Sequence, residues 1–170
     1  MKKIALLLFL LLGSLFAEDK NDYVGIGGGV TNFSTTTGDN NGGDASLTLG
    51  HTYGDTGRLS LSYTYVDSAS SIDKSSVTLL SYDYIVPLFD NLLGLYFGPS
   101  LGYTSLSSSS LDLSGMSYGG QVGCIFNLSD SYDIDLGARY LGVDSNYVDN
   151  DTMIYLNFDI HFNAQELFDL

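Results

Sequence analysis

The chain has a single cysteine, Cys124, in 170 residues, six basic side chains against twenty acidic ones, and no long apolar run after its first seventeen positions. A lone cysteine cannot close an internal disulfide, which removes the small disulfide-stapled secreted domains as a class. The scarcity of lysine and arginine removes nucleic acid as a partner, since phosphate binding rests on basic patches. A membrane helix needs roughly 20 apolar residues in a row, so any crossing of a bilayer falls to strands. No segment of comparable length reads as an amphipathic helix. The glycines at 25 and 27–29 lie inside a strand pattern with no helix after them to offer an anion site, so they are read as allowing close packing or bending where the first strand meets the last.

What is present starts with a basic end (Met1, Lys2, Lys3), an apolar core from Ile4 to Leu12 and a short region from Gly13 to Ala17. That is the layout of a secretory signal, so residues 1–17 are expected to be cleaved and the mature chain to begin near Glu18. No cysteine follows the cleavage position, which argues against a lipid-anchored lipoprotein. Cleavage leaves Lys20, Arg58, Lys74 and Arg139 against all twenty acids, a formal balance of −16. The excess is read first as solubility and solvated loops, and second as binding of cations or a basic partner.

Apolar residues then recur with period 2 in eight runs of about ten residues, the length a tilted strand needs to cross a bilayer. They fall near residues 22–32, 44–53, 58–66, 76–87, 92–103, 116–127, 132–142 and 152–162. Three connections are tight and rich in turn formers: Gly54-Asp55-Thr56-Gly57, Leu88-Phe89-Asp90-Asn91 and Leu128-Ser129-Asp130-Ser131. Between them lie four longer polar links, 33–43, 67–75, 104–115 and 143–151. Alternation of short and long is what an up-and-down barrel produces, with periplasmic turns and outer loops. The expected fold is all-β, an eight-stranded antiparallel up-and-down transmembrane barrel over residues 18–162.

Side-chain volume decides which face is inside. The fifth run sets Leu93, Leu95, Phe97, Leu101 and Tyr103 against Gly94, Tyr96, Gly98, Ser100 and Gly102, and the third sets Leu59, Leu61, Tyr63 and Tyr65 against Arg58, Ser60, Ser62 and Thr64. Eight strands enclose a space only just wide enough for side chains, so the small and polar face belongs inside and lipid covers the bulky one. Tyr53, Tyr65, Tyr103, Phe126, Tyr132 and Phe162, near strand ends, are candidates for interfacial girdles. Cys124 falls on the lipid side and needs no redox role.

With its signal peptide, Tyr23-Val24-Gly25-Ile26-Gly27-Gly28-Gly29-Val30, the Asp135-Leu136-Gly137-Ala138-Arg139-Tyr140 run and an alternating, aromatic final strand, the chain resembles the small eight-stranded outer-membrane proteins of the OmpX-like and opacity-like porin family. The resemblance implies a Gram-negative outer-membrane location, contact with lipid and lipopolysaccharide, and a monomer. It also implies an assembly signal read by the outer-membrane assembly machinery, here Ile154, Leu156, Phe158, Ile160 and Phe162. Residues 163–170 would form a short periplasmic tail.

Within the lumen Arg139 is expected mid-strand, with Asp83, Asp135, Asp159, Gln121 and Tyr96 projecting inward beside it. A charge in so narrow a space must be paired, so Arg139 is expected to bridge to at least one of these carboxylates and plug the barrel. Some eight-stranded barrels are lipid A deacylases that place a serine two residues after a histidine. Here His51 is followed by Thr52-Tyr53 and His161 by Phe162-Asn163, both at the periplasmic end, so no enzyme and no catalytic residue is expected. Asp144, Asp149 and Asp151, with Asn146 and Asn150, lack the glycine and glutamate of a calcium loop, so neither metal nor cofactor is expected. The functional expectation is a surface-interaction or structural barrel displaying short polar loops, with a narrow porin for small solutes or cations as the alternative.

Overall fold

The structure, a computed structural model, describes residues 22–35, 38–68, 74–108, 111–112, 114–145 and 148–163. The expected signal peptide, Asn146 and tail residues 164–170 lie outside the described residues. Nine strands follow in order: β1 (Asp22–Thr35), β2 (Gly38–Tyr53), β3 (Gly57–Ser68), β4 (Lys74–Leu88), β5 (Leu93–Ser108), β6 (Leu111–Asp112), β7 (Gly115–Ser129), β8 (Tyr132–Asp144) and β9 (Val148–Phe162). The two-residue β6 pairs with the tip of β5, and the other eight form the wall. Each wall strand pairs antiparallel with its sequence neighbour, and β1 pairs with β9 from Asp22↔Phe162 to Thr35↔Val148, so the sheet has no open edge.

Alternation along the ladders follows the sequence pattern. On β9, Ile154, Leu156, Phe158 and Ile160 face outward, while Met153, Tyr155, Asn157 and Asp159 are buried inside. On β5, Leu95, Phe97, Leu101 and Tyr103 are exposed outward and Tyr96 and Ser100 are buried. Rings gather outside at both ends of the wall, with Tyr53, Tyr82, Tyr84, Phe126 and Tyr132 toward the turn end and Tyr65, Tyr103, Tyr118 and Tyr140 toward the other. The β4–β5 turn holds Phe89, Asp90 and Asn91 at φ of 52°, 54° and 67°. Aspartate and asparagine visit this left-handed region more readily than other side chains, which is what the sequence supplies at two of the three positions.

Two expectations are corrected. Three of the long polar links, 33–43, 104–115 and 143–151, are largely strand: β1 and β2 stay paired up to Thr35↔Gly38, β5 runs to Ser108, and β8 and β9 extend to Asp144 and from Val148. The reason lies on the inner face, where Phe33, Val66, Leu106, Val143 and Val148 are buried, so apolar packing carries the ladder beyond the expected strand ends. For the same reason the lumen is not uniformly polar. An apolar cluster of Phe33, Val66, Val77, Leu79, Leu106, Leu141, Val143, Val148 and Met153, with Tyr155 at its lower edge, fills the half away from the tight turns.

A charge on the outward face tests whether lipid covers it. Leu156→Arg, midway along β9 on that face, should cost about 2–4 kcal/mol in a bilayer, the penalty for arginine near the midplane. Reversible unfolding in phospholipid vesicles measures it, and a neutral effect would mean water on that face.

Candidate functional site

The site is the lumen half nearest the tight turns, where polar inward positions of six strands converge. Arg58 is the first inward residue of β3, register partner of Asp83 on β4. Its long side chain reaches across the barrel: Nε donates to Asp83 Oδ2 at 3.0 Å, Nη2 lies 2.9 Å from the same oxygen, and Nη1 donates to Asp135 Oδ2 on β8 at 2.8 Å. The guanidinium also lies 4.3 Å from the Tyr96 ring centroid. One planar cation thus satisfies two carboxylates from opposite sides, the geometry for which arginine is suited and lysine is not.

The remaining partners complete a ring. Tyr96 Oη donates to Asp135 Oδ1 at 2.6 Å, which uses its only proton, so the Tyr155 hydroxyl 2.8 Å away must donate to it. Gln121 Nε2 donates to both oxygens of Asp83 at 2.7 and 2.9 Å, and Gln121 Oε1 accepts from Arg139 Nε and Nη2 at 2.8 and 2.6 Å. Only this orientation of the amide sets its acceptor on the cation and its donor on the anion. The Arg139 guanidinium lies 4.9 Å from the Tyr155 ring centroid, returning to the start. Arg58, Asp135, Tyr96, Tyr155, Arg139, Gln121 and Asp83 thereby tie β3, β4, β5, β7, β8 and β9 together across the lumen.

Two glycines make room for it. A Cβ at Gly137 would collide with the hydroxyl ends of both Tyr96 and Tyr155, and one at Gly123 with that of Tyr96. The rings occupy the space those side chains would take, as aromatics do over glycine in curved sheets.

The structure therefore gathers Arg139, Asp83, Asp135, Gln121 and Tyr96 in one network, but with a different charge pairing from the one expected. Arg139 is bonded to neutral Gln121, and the ion pairs with Asp83 and Asp135 belong to Arg58. Arg58 was legible as inward-facing, but it was not assigned to the network, because its place beside the Gly54–Gly57 turn does not show that its long side chain reaches the centre. Asp159 stands apart: it is buried over Gly25, and its Oδ1 has no hydrogen-bond partner. Asp151, expected in an outer loop beside Asp144 and Asp149, is buried inside the barrel, while those two are exposed.

Below the ring, a mouth of about 210 Å³ opens at the turn end between Ile85, Pro87, Ile125, Asn127, Asp133 and His161. There His161 Nε2 lies 2.6 Å from Asp133 Oδ2, and nearby His51 Nδ1 lies 2.8 Å from Asp22 Oδ1. Each histidine is engaged by an aspartate. Among the described residues no group of three or more His, Cys, Asp or Glu side chains is placed to hold a metal ion.

The ring ranks the two arginines. Arg58→Ala should cost about 3–5 kcal/mol by stranding two buried carboxylates, whereas Arg139→Ala, whose bonded partner is neutral, should cost about 1–3 kcal/mol. Thermal unfolding read by the mobility of boiled and unboiled samples measures both, and the reverse order would disprove the pairing.

No protein-family model matches the sequence, and no curated protein sequence matches it. Solved structures do. Neisserial surface protein A is 20% identical with a TM-score of 0.70, over 83% of this chain and 97% of that one. Outer membrane protein H of P. aeruginosa is 22% identical with a TM-score of 0.61, over 84% and 99%. The outer membrane enzyme PagL is 13% identical with a TM-score of 0.52, over 80% and 99%. At such identities the likeness is one of fold, and the fold is that of the small eight-stranded outer-membrane β-barrels.

Proposed function

We propose that the protein is a non-enzymatic, monomeric outer-membrane barrel whose wall anchors short acidic hairpin ends at the cell surface for contact with other molecules. One observation carries this reading: the lumen is filled from wall to wall, by the ionic ring in the turn-end half and by the apolar cluster beyond it. A filled interior leaves the outer rim as the surface free to vary, and loops on a fixed barrel are where binding is built. The outward apolar face and the closed ladder suit lipid, which cannot satisfy an open sheet edge.

The rim favours a particular chemistry of partner. Asp39, Asp67, Asp144 and Asp149 are exposed there, while Arg58 and Arg139 are withdrawn into the lumen. Cationic partners, or anionic lipopolysaccharide bridged by divalent cations, fit such a rim, and sulfated polymers do not.

A narrow porin draws support from the acidic lumen, but an ion would have to pass Phe33, Leu106 and Leu141, all with no exposed surface. An enzyme draws support from the fold likeness to PagL alone. Both histidines here sit at the turn end against aspartates, which argues against a serine hydrolase acting on lipid at the opposite face.

Single-channel recording of the refolded mature protein in a planar bilayer tests the reading. A folded barrel should give no discrete conductance steps; cation-selective steps would instead establish the porin. Recovery of the protein in the soluble periplasm would sink both.

A further inference from the structure

The lipid-facing side of the wall is not level. Two neighbouring rungs of the ladder cross β5, β7 and β8 with their side chains outward: Pro99, Gly120 and Tyr140 in one, Phe97, Val122 and Ala138 in the next. Large residues such as Leu95, Leu101, Leu136 and Leu156 face outward around them. Gly120 has no side chain and Ala138, its diagonal neighbour, has only a methyl group, so the surface dips between Phe97, Val122 and Tyr140. The result is an open trough of about 570 Å³, inside the roughly 300–1,000 Å³ of small-molecule sites. Gln121 and Arg139 border it too, but both are buried on the inner side and committed to the ring.

One end of the trough is polar. The rung of Gly120 and Tyr140 continues across β9, β1 and β2 as Thr152, Asn32 and Asn41. Thr152 borders the trough and is exposed, as is Asn41, while Asn32 is half-buried with its Nδ2 donating to Asn41 Oδ1. Hydroxyl and amide groups are costly in hydrocarbon, so this end of the rung lies at headgroup level, where the Tyr140 ring also belongs. No side chain along the rung carries a charge.

Hydrocarbon covers the trough, and its shape selects among the forms hydrocarbon can take. A second barrel would press Thr152 and Asn41 against an apolar wall and leave them without partners. A phospholipid would bring a phosphate close to its chains, and the rung offers no cation to meet it. Lipid A joins its chains through neutral amide and ester links to sugar hydroxyls, which are the groups that threonine and asparagine can bond. We propose that the trough holds one acyl chain of lipid A, with hydrocarbon against Phe97, Val122 and Ala138 and the amide or ester link of that chain bonded to Thr152 and Asn32. The proposal rests on the membrane placement of the reading above and is independent of what the acidic rim binds.

The chain has no tryptophan, so a single introduced indole reports alone. Phe97→Trp places it at the edge of the trough, and Leu47→Trp places it on the outward face of β2, across the barrel. Each refolded barrel is put into vesicles of brominated phosphatidylcholine, whose chains quench the indole, and lipid A is added in steps. Lipid A should relieve the quenching of Phe97→Trp at a severalfold lower mole fraction than that of Leu47→Trp. Ala138→Leu, which fills the trough from the wall, should bring the Phe97→Trp curve onto the Leu47→Trp curve; if it does not refold, Ala138→Val serves. Thr152→Val keeps the shape without the hydroxyl and should raise the half-point severalfold. Coincident curves for the two reporters, or a Phe97→Trp curve unmoved by filling the trough, would overturn the site. Strong quenching of Phe97→Trp that lipid A does not relieve would give the trough to phospholipid, and relief that follows protein concentration would give it to a second barrel; either result overturns the proposal. Absence of quenching at both positions would sink the membrane placement and the site with it, a result distinct from coincident curves.

Discussion

A β-sheet placed in hydrocarbon has no water to satisfy an edge strand, so every strand must have two neighbours. The β1–β9 ladder from Asp22↔Phe162 to Thr35↔Val148, with one register shift between Ser34 and Thr35, meets that demand. Much else follows from closing at eight strands. The interior is then too narrow for bulk water and too wide to be left empty, so inward side chains must fill it and satisfy one another. The glycines of β1 fit the same constraint: Asp159 and Asn157 on β9 take the space above Gly25 and Gly27 that side chains there would occupy.

The lumen is filled by two chemistries that divide along the barrel axis. Toward the tight turns the filling is ionic, and its centre is an arginine whose fork meets two carboxylates while its face meets a tyrosine. Such a group is expensive to bury and more expensive to disrupt, so its worth lies in fixing which strands face each other rather than in adding net stability. Toward the other end the filling is apolar and tolerant of shape. It carries the hairpins past the expected strand ends and packs without demanding hydrogen-bond partners.

The wall was legible in the sequence because period-2 patterning and turn chemistry are local properties. Leu95 against Tyr96, or Leu156 against Asn157, needs no knowledge of any other strand. The tight turns were legible for the same reason, down to the aspartate and asparagine that accept a left-handed backbone in the β4–β5 turn. Pairing in the lumen was not legible, since it joins residues far apart in sequence: Arg58 meets Asp135, and Tyr96 meets Tyr155, by the accident of which strands face each other across the interior. Arg139 lies mid-strand and drew the ionic role on position alone; Arg58 holds it because its side chain spans the distance. Asp151 was misjudged for a related reason. Its neighbours Asp149 and Asn150 look like loop, but parity with Met153 and Tyr155 aims it inward, and the apolar cluster extends the strand far enough for that parity to hold.

Charge in this chain therefore forms two populations that one net figure conceals. Acids such as Asp39, Asp67, Asp144 and Asp149 stand in solvent, where repulsion is screened within about 8–10 Å and each can change with little effect on the fold. Acids inside the wall feel one another through a medium that screens poorly, and every one of them constrains the positions of its neighbours. Substitutions in the first set leave the interior network untouched. The second set is bound to the architecture, because removing any one of its charges changes what all the others require. In a barrel built this way the interior charges depend on one another and the rim charges do not, because the wall separates the two populations.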